Sequence, residues 1–277
     1  MLRLPPIAAW SSALIAALIG FGGTIALVVQ AMRTLGASIE QTGSAVTALC
    51  LGIAVAGALL SLRLRIPVVL AWSTPGAALL AATVPGLTWP VALGCFLAAA
   101  LLMIGLGLVP ALGRIAGKIP ASVASAMLAG VLLPFCLGLF RVGTGDPALV
   151  ALLVAVFVIA RQRMPLYALL LVLAAGFALA VVRGDVAHLP SGPVFGALFP
   201  LWPIFDAQAI LSVGVPLFLV TLVSQNLPGI VVLKTAGYAP PTGKLLAGTG
   251  LMSALLAPFG APAVNLAGIT AALCTGG

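Results

Sequence analysis

Charged residues are scarce in this sequence. Asp, Glu, Lys and Arg make up 6% of its 277 residues, whereas a soluble domain usually has about 25%. Hydrophobic residues make up 63% and the mean hydropathy is +1.32, which excludes a soluble globular protein. Apolar runs of roughly 20 residues suit membrane helices and are too long for the alternating strands of a membrane barrel. The sequence therefore predicts an all-α polytopic membrane protein.

Histidine and cysteine are also rare. The one histidine, His188, lies in the polar segment RGDVAHLPSG, and no Gly-x-Ser-x-Gly or His-Glu motif accompanies it. We therefore predict that the protein is not an enzyme and uses no cofactor or metal; an intramembrane enzyme is the distant alternative. Four cysteines without Cys-x-x-Cys spacing are interpreted as small core residues: Cys50, Cys95, Cys136 and Cys274.

Twelve Lys and Arg against four Asp and Glu give a net charge of +8. The basic residues are spread in ones and twos, so they predict orientation in a lipid bilayer and not a nucleic-acid surface. Three of them fall on one side of the membrane, namely Arg33, Arg141 and Arg183. The other nine fall on the side of the N-terminus, which the positive-inside rule places in the cytoplasm.

Turn and charge signals divide the chain into ten candidate spans. The first is interpreted as an uncleaved span and not as a signal peptide, because its apolar run continues to about Met32. The ten spans cover roughly residues 7–32, 43–62, 66–84, 89–112, 121–140, 146–160, 165–183, 208–233, 243–258 and 260–277.

A weak internal repeat aligns residues 24–38 with 225–239, including Gly36 with Gly237. This offset of about 200 residues places spans 1, 2 and 3 on spans 8, 9 and 10. A repeat of seven spans is odd in number, so the second copy enters the membrane from the opposite face, as in many secondary transporters. We expect about ten of fourteen spans in this chain, which then looks truncated; a natural ten-span protein is the alternative.

Spans 3 and 10 are interrupted at equivalent places. Residues 73–76 read Ser-Thr-Pro-Gly, and span 10 contains Gly260, Pro262 and Asn265. Proline disfavours helix at its own and the preceding position, so each span should be extended first and helical afterwards. Such backbone at mid-depth is tolerated only where it is buried or lines a cavity, and paired interruptions indicate a transport site.

The ends of these half-helices predict an anion site. Each helix N-terminus favours an anion by roughly 0.3 to 1 kcal/mol, and Ser73, Thr74 and Asn265 add neutral donors. Charged residues occur only at the ends of the predicted spans, namely Asp146, Arg183 and Lys244. The site should therefore hold an anionic group without a fixed cation, between apolar walls.

Span 8 carries LVSQNLPG, residues 222–229, in which polar amides precede a proline. Amides at this depth should point inward, and the repeat places Gln225 opposite Thr24, beside Phe21, a candidate wall for an aromatic substrate. Interhelical hydrogen bonding and ordinary packing are the structural alternatives. The predicted substrate-binding residues are Gln225, Asn265, Thr74, Ser73, Thr24, Asn226 and Phe21.

The sequence resembles the BenE-type benzoate/proton symporters of bacterial inner membranes, in order along essentially the whole chain. The segments that carry the resemblance are STPGAALLAA (73–82), PLFLVTLVSQNLPGIVVLKTAGY (216–238) and NLAGITAALCTG (265–276). The resemblance implies a uracil-permease-like fold of two inverted sevens, with substrate between spans 3 and 10 and near span 8. Residues 1–120 would form core spans 1–4, residues 121–200 gate spans 5–7, and residues 201–277 core spans 8–10.

In the related uracil permeases, acidic side chains on spans 8 and 10 hold substrate and couple protons. The nearest positions here are Gln225 and Asn265, which suits a carboxylate but leaves proton coupling without an obvious carrier.

We therefore predict a secondary active transporter that imports benzoate or a similar aromatic carboxylate with protons, by alternating access. A transporter of another small anion or a nucleobase-like solute is the alternative, and a structural bundle would require straight spans 3 and 10. A homodimer is the candidate assembly.

Overall fold

The computed structural model describes residues 7–83, 86–109, 121–185 and 196–267, and most of these are helical. The helices are α1 (Ile7–Thr34), α2 (Ile39–Leu64), α3 (Thr74–Ala81), α4 (Trp89–Leu108), α5 (Ala121–Gly145), α6 (Pro147–Arg163), α7 (Ala168–Arg183), α8 (Ala207–Thr235) and α9 (Thr242–Leu256). Two short strands are β1 (Leu70–Trp72) and β2 (Val264–Leu266), and 3₁₀ turns occupy Pro165–Tyr167 and Ala257–Phe259.

Three helices of the described part of the chain are long and apolar enough to cross a membrane: α2, α4 and α8. The shorter α7 is also apolar. Most helices begin and end within a few residues of the predicted span ends. This agreement arises because hydropathy and turn residues determine where the helices end and were also used to predict the spans. These findings confirm a helical membrane-embedded protein.

The chain forms two compact units. The first contains Met1–Ala26 and Leu132–Val194, and the second contains Leu27–Val131 and Phe195–Gly277. In the first unit α6 packs against α7. Asp146 caps α6 by accepting from the Leu149 N–H at 3.0 Å, and it pairs with Arg183 at the end of α7. The Arg183 guanidinium and the Leu149 N–H lower the pKa of this carboxyl below its ordinary value of 3.8.

The second unit is built around the packing of α4 on α9, with α2, α8 and the two strands against them. Its core includes Leu93 and Phe96 of α4 and Leu245 of α9. Cys95 is buried there as predicted, whereas Cys136 on α5 of the first unit is exposed, so its assignment to the core is wrong. A small apolar side chain on a membrane helix can face lipid as readily as protein. Cys274 and His188 lie outside the described residues.

Two helix ends of the second unit share one capping geometry. Gly36 follows α1 with φ 84° and Gly237 follows α8 with φ 86°, a left-handed conformation that glycine adopts without strain. In each case the N–H of the next residue donates to the carbonyl five positions earlier, at 3.0 and 3.1 Å. These are Schellman caps, and they fall on residues that the sequence repeat aligns.

Residues 66–82 follow the predicted path, because β1 is extended and α3 begins at Thr74 after Ser73. Span 3 is therefore not a straight helix, in contrast to what a structural bundle would require. In the other segment, Gly260 (φ 96°) ends the turn Ala257–Phe259 and β2 follows. The helix predicted after β2 falls on residues 268–277, outside the described part of the chain.

Candidate functional site

The interrupted segments meet as a two-stranded antiparallel sheet. β1 pairs with β2 so that Ala71 lies opposite Asn265, with Leu70 opposite Leu266 on one side of this pair. Each strand has three residues. The pairing satisfies backbone groups that would otherwise be unpaired inside the membrane.

Ser73 joins β1 to α3 and caps the helix. Its Oγ accepts from the Gly76 N–H at 2.9 Å, and its carbonyl accepts from the Ala77 N–H at 2.8 Å. The Ser73 hydroxyl oxygen therefore caps the helix as an acceptor, as is usual for an N-cap serine. The neighbouring Thr74 is half-buried, and its hydroxyl makes no hydrogen bond to another described residue.

Helix α8 has two wider, π-helical turns, Ile210–Gly214 and Leu222–Asn226. Each ends two positions before a proline, Pro216 or Pro228. Proline has no N–H for the carbonyl four residues earlier and its ring crowds that carbonyl, so a wider turn relieves the conflict. Such turns are frequent at functional sites.

Gln225 lies in the second of these turns. It is half-buried, and no hydrogen bond joins its amide to another residue in the described ranges. A polar amide inside a membrane helix normally has a partner. Within the described part of the chain, the Gln225 amide is thus a donor and acceptor without a hydrogen-bond partner.

Gly229 allows α8 to approach β2 closely. A Cβ built at Gly229 would lie 2.6 Å from the Cβ of Leu266, which is shorter than real carbon contacts. Any larger residue would push the helix and the strand apart. This glycine therefore sets the distance between the π-helical turn and the paired strands β1 and β2, which we call the crossing.

An amide pair ties α8 to β2. Asn226 is fully buried; its Nδ2 donates to Asn265 Oδ1 at 3.0 Å and its Oδ1 accepts from the Leu266 N–H at 3.0 Å. Its Nδ2 also lies 3.3 Å from the Thr221 carbonyl oxygen. The two asparagines that the sequence predicts as substrate contacts thus hold each other and the strand.

Asn265 keeps one unpaired group. Its side chain is 2% exposed, and its Nδ2 has no hydrogen-bond partner among the described residues. Leaving a buried donor unpaired costs roughly 1 to 3 kcal/mol. A further hydrogen-bond acceptor next to Asn265 Nδ2 would remove this cost.

The structure brings five of the seven predicted site residues into the second unit: Ser73, Thr74, Gln225, Asn226 and Asn265. Phe21 and Thr24 lie on the part of α1 that belongs to the first unit. Phe21 is 46% exposed, and the Thr24 hydroxyl donates to the Gly20 carbonyl at 2.7 Å. Their part in a site stays a prediction.

Sequence reasoning missed two serines that fix the extended segments. Ser253 Oγ on α9 accepts from the Val264 N–H at 2.9 Å and lies 3.3 Å from its carbonyl oxygen. Ser61 Oγ on α2 accepts from the Val68 N–H at 3.0 Å and donates to its carbonyl at 3.2 Å. A signal was present in the sequence, since each is a serine near the end of the helix that precedes an interrupted segment.

The family model described as "Benzoate membrane transport protein" matches residues 5–277. The chain belongs to this family. The benzoate membrane transport protein of Acinetobacter baylyi is 34% identical over 267 residues, which are 95% of this chain and 66% of the relative. The inner membrane protein YdcO of Escherichia coli (strain K12) is 39% identical over 262 residues, 94% of this chain and 66% of the relative.

Family membership indicates the general kind of protein in which the crossing occurs. The family is one of membrane transport proteins, and the chain spans a little under two thirds of the length of these two relatives. The match confirms the resemblance on which the sequence expectations rest. It includes the whole of the crossing, from β1 to β2.

Proposed function

We propose that this protein is a secondary active transporter that imports benzoate or a similar aromatic carboxylate, together with protons, by alternating access. The observation that carries the proposal is the antiparallel pairing of β1 and β2, together with the contact of β2 with the π-helical turn Leu222–Asn226 that contains Gln225. Interrupted segments that meet in this way are the places where transporters bind substrate, and the family match supports benzoate as the solute.

The carboxylate is held by neutral donors. The N-terminus of α3 presents its dipole, with Thr74 at its first position, and Gln225 offers its amide from α8. No charged side chain occurs in β1, α3, β2 or residues 215–233. A site without a fixed cation binds an anion weakly enough to release it, which a transporter requires.

The remaining predicted residues have supporting roles. Ser73 caps α3, and Asn226 and Asn265 position β2 against α8. Phe21 and Thr24 are proposed as substrate-binding residues on the sequence alone, through the repeat relation of Thr24 to Gln225. Apolar side chains of the helices would surround the ring.

The inverted repeat of two sevens is part of the proposal, with a core, a gate and a cytoplasmic N-terminus. The matching Schellman caps at Gly36 and Gly237 support it.

Equilibrium binding to the purified protein tests the anion site. We expect benzoate to bind about tenfold or more tightly than benzamide, which has the same ring without the charge. Radiolabelled benzoate with unlabelled competitors gives both affinities. Equal affinities would contradict an anion site, and no binding of benzoate by folded protein would contradict the proposed solute.

A further inference from the structure

A small cavity lies within the second unit, between β2, α4, α8 and α9. Its volume is about 10 Å³, close to the smallest space that holds one water molecule. Its polar lining residues are Thr221, Ser253 and Asn265, and the rest of the lining comes mainly from Ala99, Ala100 and Met103. All of these side chains are neutral.

Hydrogen bonding fixes which end of the Asn265 amide is unpaired. The Leu266 N–H can only donate, so the atom of Asn226 that faces it must be the carbonyl oxygen. The Asn226 amino group then faces Asn265, so the atom of Asn265 that receives it must also be an oxygen. The Asn265 Nδ2, which has no partner in the described chain, is therefore the group left for the cavity.

The hydroxyls that line the cavity can still accept. Thr221 Oγ1 donates to the Phe218 carbonyl at 3.0 Å and keeps its lone pairs. Ser253 Oγ donates to the Thr249 carbonyl at 2.8 Å and accepts from the Val264 N–H at 2.9 Å. An occupant must therefore accept from Asn265 and can donate to a hydroxyl.

We propose that this cavity holds one ordered water, which accepts from Asn265 Nδ2 and donates to Thr221 Oγ1. A metal cation such as sodium would face the N–H protons of Asn265, so the cavity is not a coupling-cation site. Asn265 is then a positioning residue, held by Asn226 on one side and by the water on the other. The inference rests on packing within the second unit and does not depend on which solute is transported.

Two buried threonines give a matched comparison. Thr221 is 2% exposed and Thr249 is fully buried, and each hydroxyl donates to the carbonyl three residues earlier at 3.0 Å. Only Thr221 lines the cavity. We expect Thr221→Val to lower the melting temperature of the purified protein by about 2 to 4 °C more than Thr249→Val does, and Thr221→Ser to restore it. Equal losses, or no rescue by serine, would overturn the proposal.

A high-resolution experimental structure gives the direct test, and it does not depend on a folded variant. The protein would be prepared once in sodium chloride and once in choline chloride. We expect the same density peak in both, within hydrogen-bonding distance of Asn265 Nδ2 and Thr221 Oγ1. An empty cavity, or a peak that appears only with sodium, would overturn the water site.

Discussion

Asn226 of α8 and Asn265 of β2 bond to each other, whereas Gln225, which precedes Asn226 in the chain, has no hydrogen-bond partner among the described residues. Asn226 and Asn265 share one hydrogen bond inside the core. Gln225 is half-buried and makes none with the described residues. At the scale of single residues, Gln225 is therefore the side chain on which substrate binding should depend most.

Replacing Gln225 by leucine tests this role. Leucine keeps most of the volume but removes the hydrogen bond to the carboxylate. Hydrogen bonds to charged groups contribute about 1.5 to 3 kcal/mol, so we expect benzoate affinity to fall roughly 10- to 100-fold. Isothermal titration or competition with radiolabelled benzoate measures the change.

Gln162 supplies the control. It is exposed near the end of α6, and Gln162→Leu should leave benzoate affinity unchanged. If both variants bind benzoate as the parent protein does, Gln225 does not contact the solute.

Polar residues next to a proline predicted a candidate site in span 8. They did not predict which amide bonds to β2 and which has no partner among the described residues. Ser, Gln and Asn at 224–226 are equivalent in the sequence, and only the wider turn before Pro228 decides which of them faces β2. Ser61 and Ser253 each bond to the extended segment that follows their helix, 7 and 11 residues further along the chain. Their positions indicate that such a bond is possible, but which backbone groups they bond depends on how each segment folds back.

The elements of the site are a short helix, two three-residue strands and a helix with two π-helical turns. Each departs from a regular membrane span because a proline removes a donor. The departures are held by close packing, above all where Gly229 of α8 lies against Leu266 of β2. The distance between α8 and β2 should therefore change if a single methyl group is added at Gly229.

Gly229→Ala should destabilise the protein and weaken benzoate binding. Alanine has the higher helix propensity, by about 1 kcal/mol, so a loss of stability would report the contact with Leu266. Overpacking of this kind costs about 1 to 3 kcal/mol, which corresponds to a melting temperature lower by a few degrees. Thermal unfolding in detergent gives the value.

Gly138→Ala is the matched control, because Gly138 lies inside α5 and an added Cβ there would meet no atom within 4 Å. We expect this variant to be as stable as the parent or slightly more so. A stable Gly229→Ala protein with normal benzoate affinity would show that the close approach is not required.

The extents of the helices could be predicted from the sequence, whereas the pairing of the strands could not. Hydropathy and Pro, Gly and charged residues mark the ends of α2, α4 and α8 to within a few residues. Strands of three residues have no recognisable period, and their register is set by Asn226, Ser253 and Gly229. The sequence therefore indicated extended backbone at both places without indicating that the two places pair.

For the molecule as a whole, we propose a pair of inverted repeats, with which the matched helix caps agree. Related segments then approach the site from opposite faces of the membrane, and the two faces open alternately. Binding alone does not distinguish such a transporter from a receptor, because only a transporter couples the site to movement of solute. Transport against a gradient is the property that requires the whole arrangement.

The most direct measurement is the uptake of radiolabelled benzoate by proteoliposomes that contain the protein, with and without an inward proton gradient. The account predicts accumulation above the equilibrium level with the gradient, and loss of that accumulation when a protonophore collapses it. Uptake that is indifferent to the gradient would contradict proton coupling. No uptake above that of protein-free liposomes would contradict benzoate transport.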